Sequence, residues 1–167
     1  MARVRPSVLV AALCVAVLPL LDALLPPAVA QSKPSAASSA APGKKKEHRL
    51  ILQVNTNDPA VMNLALNNAA NVDQHYKGIG EQVQIEIVTF GPGLNMLRDD
   101  TSPVKERIKS LSQTSRSILF AACDNTRANM SRGEQKEIPL IPQATVVSSG
   151  VVRVMELQEQ GWSYVRP

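Results

Sequence analysis

Short aliphatic runs alternate with longer segments of helical spacing from residue 49 to the end of this 167-residue chain. The short runs are rich in β-branched residues and too short for helices, so they predict strands. Five such runs occur, at 49–55, 83–90, 117–122, 144–147 and 162–165. Separated by helices, they give the order β-α-β-α-β-α-β-α-β. This order predicts an α/β fold, a three-layer α/β/α sandwich around a mostly parallel five-stranded sheet.

The first helix is predicted by its start signal and its apolar stripe. Asn57-Asp58-Pro59 supplies a capping side chain and a proline for the first turn, and the helix should run to about Tyr76. Its apolar stripe is expected to comprise Val61, Leu64, Ala65, Ala69 and Val72. Asparagines at 63, 67, 68 and 71 flank this stripe. They form either a solvated face or a polar surface for a subunit contact.

The later helices also have recognisable boundaries. Ser102-Pro103 opens the second, 125–133 suits a short third helix, and a fourth should begin near Val151 and end at Gly161. Right-handed crossovers place the carboxyl ends of the first three strands at one edge of the sheet. Asn55, the Gly91-Pro92-Gly93 loop and Cys123 should therefore meet there. The loop is either a plain turn or a place where bare backbone approaches another chain or a ligand.

The first thirty residues have the pattern of a cleaved export signal. Arg3 and Arg5 precede an apolar stretch, and Ala28-Val29-Ala30 has the small-x-small form of a cleavage site. Pro19 and Asp22 interrupt that stretch before it reaches the roughly 20 residues of a spanning helix. We therefore expect cleavage before Gln31, a periplasmic or secreted protein, and no stable membrane anchor.

Residues 31–47 predict a disordered linker, because they are rich in Ala, Ser, Pro and Lys and lack apolar periodicity. The folded domain should span 48–167. Of 18 basic residues six precede His48, and of 14 acidic residues two do, which leaves twelve of each in the domain. A domain without net charge lacks the electrostatic basis for nucleic-acid binding, so no nucleic-acid partner is expected.

Cys123 is the one cysteine that remains after signal cleavage, and it stands where an apolar strand turns into a helix. This is the edge of α/β sheets that carries chemistry, and the amide dipoles of a helix N-terminus stabilise a thiolate. Arg127, one helical turn on, would favour the anion, and Asp124 would oppose it. The alternative is a small buried hydrophobe with no chemical role.

Other chemistries find little support in the sequence. His48 and His75 have no metal-binding spacing to Cys123, and no glycine-rich phosphate loop follows any strand. No paired-carboxylate motif is present. The sequence therefore predicts neither a metal nor another cofactor, and thiol chemistry remains.

Five segments occur together in a known family: 57–59 (NDP), 64–69 (LALNNA), 91–94 (GPGL), 123–126 (CDNT) and 157–167 (LQEQGWSYVRP). In this order they resemble the DsrE/DsrF-like sulfur-relay proteins, in particular the exported single-domain branch, over the whole of 48–167. The resemblance implies a flavodoxin-like or Rossmann-like fold. It also implies a homo-oligomer, trimer or hexamer, and a persulfide carried on Cys123. Members often have histidine where this chain has Phe90, and many exported ones have glycine in place of Asp124.

The predicted function is therefore an exported, thiol-dependent sulfur carrier or sulfurtransferase-like protein. Its partners would be a sulfur donor or acceptor, either a protein or a small sulfur compound. The alternative is a non-catalytic oligomeric binding module with an inert thiol. Cys123 is expected to be partly accessible in a cleft shared with the glycine loop. The candidate binding residues around it are Asn55, Gly91, Gly93, Asn125, Thr126 and Arg127.

Overall fold

The structure, a computed structural model, describes residues 47–167. The predicted signal peptide (1–30) and the predicted linker up to residue 46 lie outside the described residues. The first strand begins at Glu47, which the sequence had assigned to the linker. Glu47 pairs with Gln82 of the neighbouring strand, so it belongs to the sheet, and its carboxylate accepts hydrogen bonds from Arg49 Nη2 and Gln84 Nε2, each at 2.7 Å.

Five strands, four α-helices and one 3-10 segment make up the described part of the chain. The strands are β1 (Glu47–Val54), β2 (Gln82–Thr89), β3 (Ile118–Cys123), β4 (Ala144–Val147) and β5 (Ser163–Val165). The helices are α1 (Pro59–Gly78), α2 (Lys105–Thr114), α3 (Asp124–Glu134) and α4 (Gly150–Glu159). The glycine loop opens the 3-10 segment, Gly91–Leu97.

The strands form one parallel sheet in the order β4-β3-β2-β1-β5. The predicted α/β/α fold is confirmed, and every strand pair is parallel. Because β1 to β4 lie side by side in chain order, their right-handed crossovers fall on one face of the sheet. The chain then returns across the sheet to place β5 beside β1, and this return carries α4 over the opposite face.

Two apolar cores reflect this arrangement. The larger joins alternate residues of the strands, such as Leu52, Ile85 and Phe120, to α1 and α2. The smaller lies on the other face and joins Ile51, Val88 and Ala121 to Val154 and Leu157 of α4 and to Trp162. Because helices cover both faces of the sheet, β2 and β3 are apolar along nearly their whole length.

The buried face of α1 differs from the predicted stripe. Its buried residues are Met62, Ala65, Leu66, Ala69 and Asp73, whereas the predicted Leu64 is exposed. Both sets have helical spacing. The sheet selects the face one position further along the chain, because that face carries the larger side chains Met62 and Leu66 at positions where they reach the core.

The asparagines on α1 hold a neighbouring helix. The guanidinium of Arg107 on α2 donates to Asn63 Oδ1 at 2.7 Å and also to the side chain of Asn67. These two side chains therefore stabilise a contact within the chain. No helix within residues 47–167 is long and apolar enough to cross a membrane.

Candidate functional site

Cys123 is both the last residue of β3 and the N-cap of α3. No loop separates the strand from the helix, so the side chain stays at the helix N-terminus. Its Sγ accepts a hydrogen bond from the backbone N–H of Thr126 at 3.4 Å. The first turn of α3 thus directs unpaired amide groups, and the positive end of the helix dipole, at the sulfur.

A second helix also begins at this thiol. Hydrogen bonding from the side chain of Thr126 and from the backbones of Gly150, the first residue of α4, Thr126 and Asn125 lowers the pKa of the Cys123 thiol. Burial raises the pKa of the Cys123 thiol, but these hydrogen bonds outweigh burial and leave the pKa lowered. The site therefore stabilises a thiolate with neutral donors and without a basic side chain.

Gly150 also has to be a glycine for steric reasons. A Cβ at this position would lie 2.7 Å from Cδ1 of Phe90, the residue that follows β2. The absence of a side chain lets the N-terminus of α4 approach the end of the sheet closely. Phe90 therefore supports α4 at the point where α4 meets the thiol.

Cys123 is only 4% exposed, so the expectation of a partly accessible thiol is wrong in this conformation. The starts of two helices, α3 and α4, contribute hydrogen bonding that lowers the pKa of the thiol, where the sequence predicted only one. The second was missed because α4 lies 27 positions further along the chain and nothing in the local pattern links it to Cys123.

The predicted meeting of three strand ends is confirmed, but the glycines have a different partner from the one expected. A Cβ on Gly93 would lie 2.8 Å from Asn55 Cα, and one on Gly91, whose φ is +52°, would lie 3.9 Å from Asn55 O. The bare backbone of the loop thus approaches β1 of its own chain. Asn55 lies beside the loop, and Gly91 N–H donates to Thr126 Oγ1 at 2.9 Å.

The three candidate residues in the first turn of α3, Asn125, Thr126 and Arg127, differ in what they do. Thr126 links the thiol to the glycine loop. Asn125 supplies its backbone amide, which also donates to Ser148 O at 3.3 Å. Arg127 was expected to stabilise the anion, but its guanidinium bonds to Ile138 O at 3.0 Å and Glu137 Oε1 at 2.9 Å. It therefore fastens the segment that follows α3.

A cleft of about 530 Å³ opens at the same edge of the sheet, next to the thiol. Gly91 and Thr126 line it, and Cys123 lies behind Thr126. Sequence reasoning missed most of its walls, which are formed by Asn57, Pro92, Asn95, Arg98, Asn129, Met130 and Glu134. The available signal was position: all these residues follow within a dozen positions of the carboxyl end of β1, β2 or β3.

Arg98 is the buried charge of this cleft. Its guanidinium donates to both oxygens of Asp100, at 2.9 and 2.8 Å, and to Glu134 Oε2 at 2.9 Å. Hydrogen bonds to Asp100 and Glu134 outweigh burial and raise the pKa of Arg98 further. Lys136 donates to Asp100 Oδ2 at 2.9 Å. The positive charges of Arg98 and Lys136 therefore balance the negative charges of Asp100 and Glu134.

The histidines lie elsewhere. His75 is in the last turns of α1, which runs back towards the amino ends of the strands, and its ring contacts Tyr76 edge-on. His48 Nε2 lies 2.6 Å from Glu81. Within residues 47–167 no group of three or more His, Cys, Asp or Glu residues could hold a metal ion.

Comparison with solved structures identifies a relative with a similar fold. No protein-family model matches the chain, and no curated protein matches it. Among solved structures, it is similar to the protein of unknown function MTH1491 from Methanobacterium thermoautotrophicum, with 30% sequence identity and a TM-score of 0.61. The match covers 72% of this chain and 99% of that one.

Proposed function

We propose that this chain, which belongs to the same family as MTH1491, is an exported sulfur carrier that holds a sulfane sulfur on Cys123 as a persulfide. The observation that carries the proposal is the position of the Cys123 sulfur as the N-cap of α3, where it accepts the Thr126 N–H, with the Gly150 backbone at the start of α4 also lowering the pKa of the thiol. Such an arrangement stabilises an anionic sulfur at neutral pH. The resemblance to the DsrE/DsrF-like proteins, which rests on the ordered sequence segments, supports the same reading.

The chemistry follows from the thiolate. The Cys123 thiolate attacks the sulfane sulfur of a donor R–S–SH, a new S–S bond forms, and the S–S bond of the donor breaks. R–S⁻ leaves and takes up a proton from water. The persulfide on Cys123 is more acidic than a thiol, so the amides of Thr126 and Gly150 then stabilise its anion.

Transfer requires the sulfur to become accessible for a short time. The first two residues of α3, Asp124 and Asn125, are exposed, and Cys123 is covered by helix ends, where proteins open most readily. A carrier that shields its persulfide between transfers also protects it from hydrolysis and oxidation.

The test is mass spectrometry after exposure to a sulfane donor. Wild-type protein should gain the mass of one sulfur atom on the peptide that contains Cys123, and a reducing agent should remove it. Cys123→Ser should gain nothing at that peptide while it keeps the circular dichroism of the wild type. Wild-type protein that stays unmodified with both polysulfide and thiosulfate would reject the proposal.

A second candidate is a binding module with an inert thiol, and the observation that favours it is the burial of Cys123. Thiol labelling separates the two. A carrier should be labelled in the native state at neutral pH, at a rate set by opening, whereas an inert thiol should be labelled only with global unfolding. Comparing the labelling rate with the unfolding rate measured in denaturant decides between them.

We also propose that the domain self-associates as a trimer or hexamer. The outer face of α4 supports this, because Val151 and Met155 are 53% and 54% exposed and Val152 lies beside them. Apolar side chains grouped on one helix are typical of a contact surface. Light scattering should give a multiple of the monomer mass, and Val151→Asp should lower that mass. A monomer at all micromolar concentrations would contradict the proposal.

Export is the remaining part of the proposal. It rests on the sequence of residues 1–30, with its Arg-flanked apolar stretch and Ala28-Val29-Ala30. The mature protein, periplasmic or secreted, should begin at Gln31. N-terminal sequencing of protein from its native compartment tests this, and an intact Met1 there would contradict it.

A further inference from the structure

The cleft beside Cys123 has the size of a small-molecule site. Its volume of about 530 Å³ lies within the range that drug-sized ligands occupy. It stands outside the carboxyl ends of the strands, where open α/β sheets bind ligands. An inorganic sulfur anion would fill only a small part of it, so the volume indicates an organic body.

The charged side chains of the cleft also argue against an inorganic anion as the ligand. Arg98 is the cation of the wall, and four of its five N–H donors bond to Asp100 and Glu134. Lys136 balances the second carboxylate, with Nζ 2.9 Å from Asp100 and 3.3 Å from Glu134. A bound inorganic anion would have to break one of these pairs. The cleft therefore favours a ligand whose body carries no charged group.

The remaining walls offer hydrogen bonds and apolar contact. Three carboxamides, those of Asn57, Asn95 and Asn129, line the cleft. Asn95 Nδ2 donates to Asn57 Oδ1 at 2.7 Å, and the side-chain oxygens of Asn95 and Asn129 accept from Thr101 and Arg132. The Nδ2 groups of Asn57 and Asn129 remain as donors for a carbonyl oxygen. Pro92 and Met130 supply the apolar part. Carboxamides pair naturally with amide groups, so the lining suits a small molecule of peptide character.

Thr126 connects the cleft with the thiol. It lines the cleft, its hydroxyl accepts from Gly91 N–H at 2.9 Å, and its own amide donates to Cys123 Sγ at 3.4 Å. Thr126 is thus the residue that both lines the cleft and bonds to the sulfur. A shift of Thr126 with the first turn of α3 would join the two.

We infer that the cleft binds the uncharged, peptide-like body of a low-molecular-weight organic persulfide and presents its sulfane sulfur to Cys123 at Thr126. This inference rests on the proposed function, since it names the class of donor. The step is balanced: Cys123–S⁻ and R–S–SH give Cys123–S–SH and R–S⁻. Cys123 is oxidised to the persulfide level, the donor is reduced to its thiol, and no other reagent takes part.

The experiment compares two donors on the full chain. One is the persulfide of N-acetylcysteinyl-glycinamide, a neutral dipeptide, and the other is inorganic polysulfide. The rate of sulfur gain on the Cys123 peptide is measured against donor concentration. With wild-type protein, the rate should saturate for the dipeptide persulfide, because binding precedes transfer, and should stay linear for polysulfide.

Two variants block the cleft from opposite sides. Asn129→Trp on α3 and Asn57→Trp before α1 should each lower the second-order rate with the dipeptide persulfide at least about tenfold, a loss of roughly 1.4 kcal/mol. With polysulfide their rates should remain within about twofold of wild type. Ala128→Trp is the matched control, because it puts the same bulk on an exposed neighbouring position outside the cleft lining. It should leave both rates unchanged.

The outcomes separate this inference from the proposed function. Blocking variants that slow neither donor, or both equally, would overturn the inference and leave the carrier function standing. Wild-type protein that reacts with neither donor would overturn the carrier function. In that case calorimetry measures whether the S-methyl dipeptide amide binds to the Cys123→Ser variant. Binding that Asn129→Trp abolishes would support a ligand site in the cleft, and no binding would overturn the inference.

Discussion

Arg153 of α4 and Glu86 of β2 form a two-point ion pair, in which guanidinium Nε and Nη2 each donate to a carboxylate oxygen at 2.7 Å. Glu86 is a buried carboxylate in the middle of the sheet, and Arg153 lies one helical turn after Gly150. The pair therefore fixes the end of α4 that reaches the thiol of Cys123.

Replacing one partner of this ion pair should lower the free energy of unfolding more than replacing both partners with apolar residues. Arg153→Met leaves the Glu86 carboxylate buried without a partner, and we expect a loss of about 2–4 kcal/mol, less than for a fully buried pair because Arg153 is partly exposed. The double variant Glu86→Leu, Arg153→Leu should recover most of this loss. Chemical denaturation of the two variants measures the difference. Equal losses of unfolding free energy in both variants would show that the Arg153–Glu86 ion pair does not hold α4 in position.

The thiol of Cys123 should react as a thiolate at a pH below the usual range for cysteine. Hydrogen bonds from Thr126 and Gly150 outweigh burial and lower its pKa. The folded state then contributes stability that is fully present above the unfolded pKa of about 8.5 and is lost as pH falls through the folded pKa. The stability of wild type relative to Cys123→Ser should therefore increase as pH rises from 6 to 9. A constant difference over this range would contradict the lowered pKa.

Gly93→Ala should destabilise the domain, because a Cβ there would overlap the Val54 carbonyl and lie 2.8 Å from Asn55 Cα, and backbone cannot rotate away. We expect a loss of more than about 2 kcal/mol. Gly133→Ala is the control, since no atom lies within 4 Å of its Cβ position and the residue is helical. That change should stabilise α3 by about 0.5–1 kcal/mol. Thermal denaturation of both variants tests the contrast.

Asp73 anchors the far end of α1. Its carboxylate accepts from the hydroxyls of Ser115 and Ser117 and from Lys77 Nζ. Burial raises its pKa, but these bonds outweigh burial and lower it. Stability from Asp73 is thus present above its unfolded pKa of about 3.9 and is lost as pH falls through the folded value.

Asp73→Asn should consequently cost about 1–3 kcal/mol at pH 7, because it puts an amide donor opposite a hydroxyl donor. The cost should shrink as pH approaches 2. The exposed Glu159 at the end of α4 offers a control, and Glu159→Gln should change stability by less than about 0.5 kcal/mol. A cost for Asp73→Asn that does not vary with pH would contradict the assigned role.

The sequence by itself determined the elements and the edge at which they meet. Apolar runs and helix start signals are local, so β1, β2 and β3 and their succession along the chain could be read directly, as could the approach of Asn55, Gly91 and Cys123. A one-position shift of the α1 face could not be read, because Met62 and Val61 both lie on stripes of helical spacing and only the sheet selects between them.

Only the tertiary structure decided what surrounds Cys123. Ala121, two positions before it on the same strand, packs against α4, and α4 covers that face because the chain returns over the sheet to place β5 beside β1. Strand order is a property of long-range pairing, which the periodicity of a single element does not encode. For the same reason Arg127, expected at the thiol from its spacing, is bound to Glu137, and Arg98 pairs with Glu134, 36 positions away.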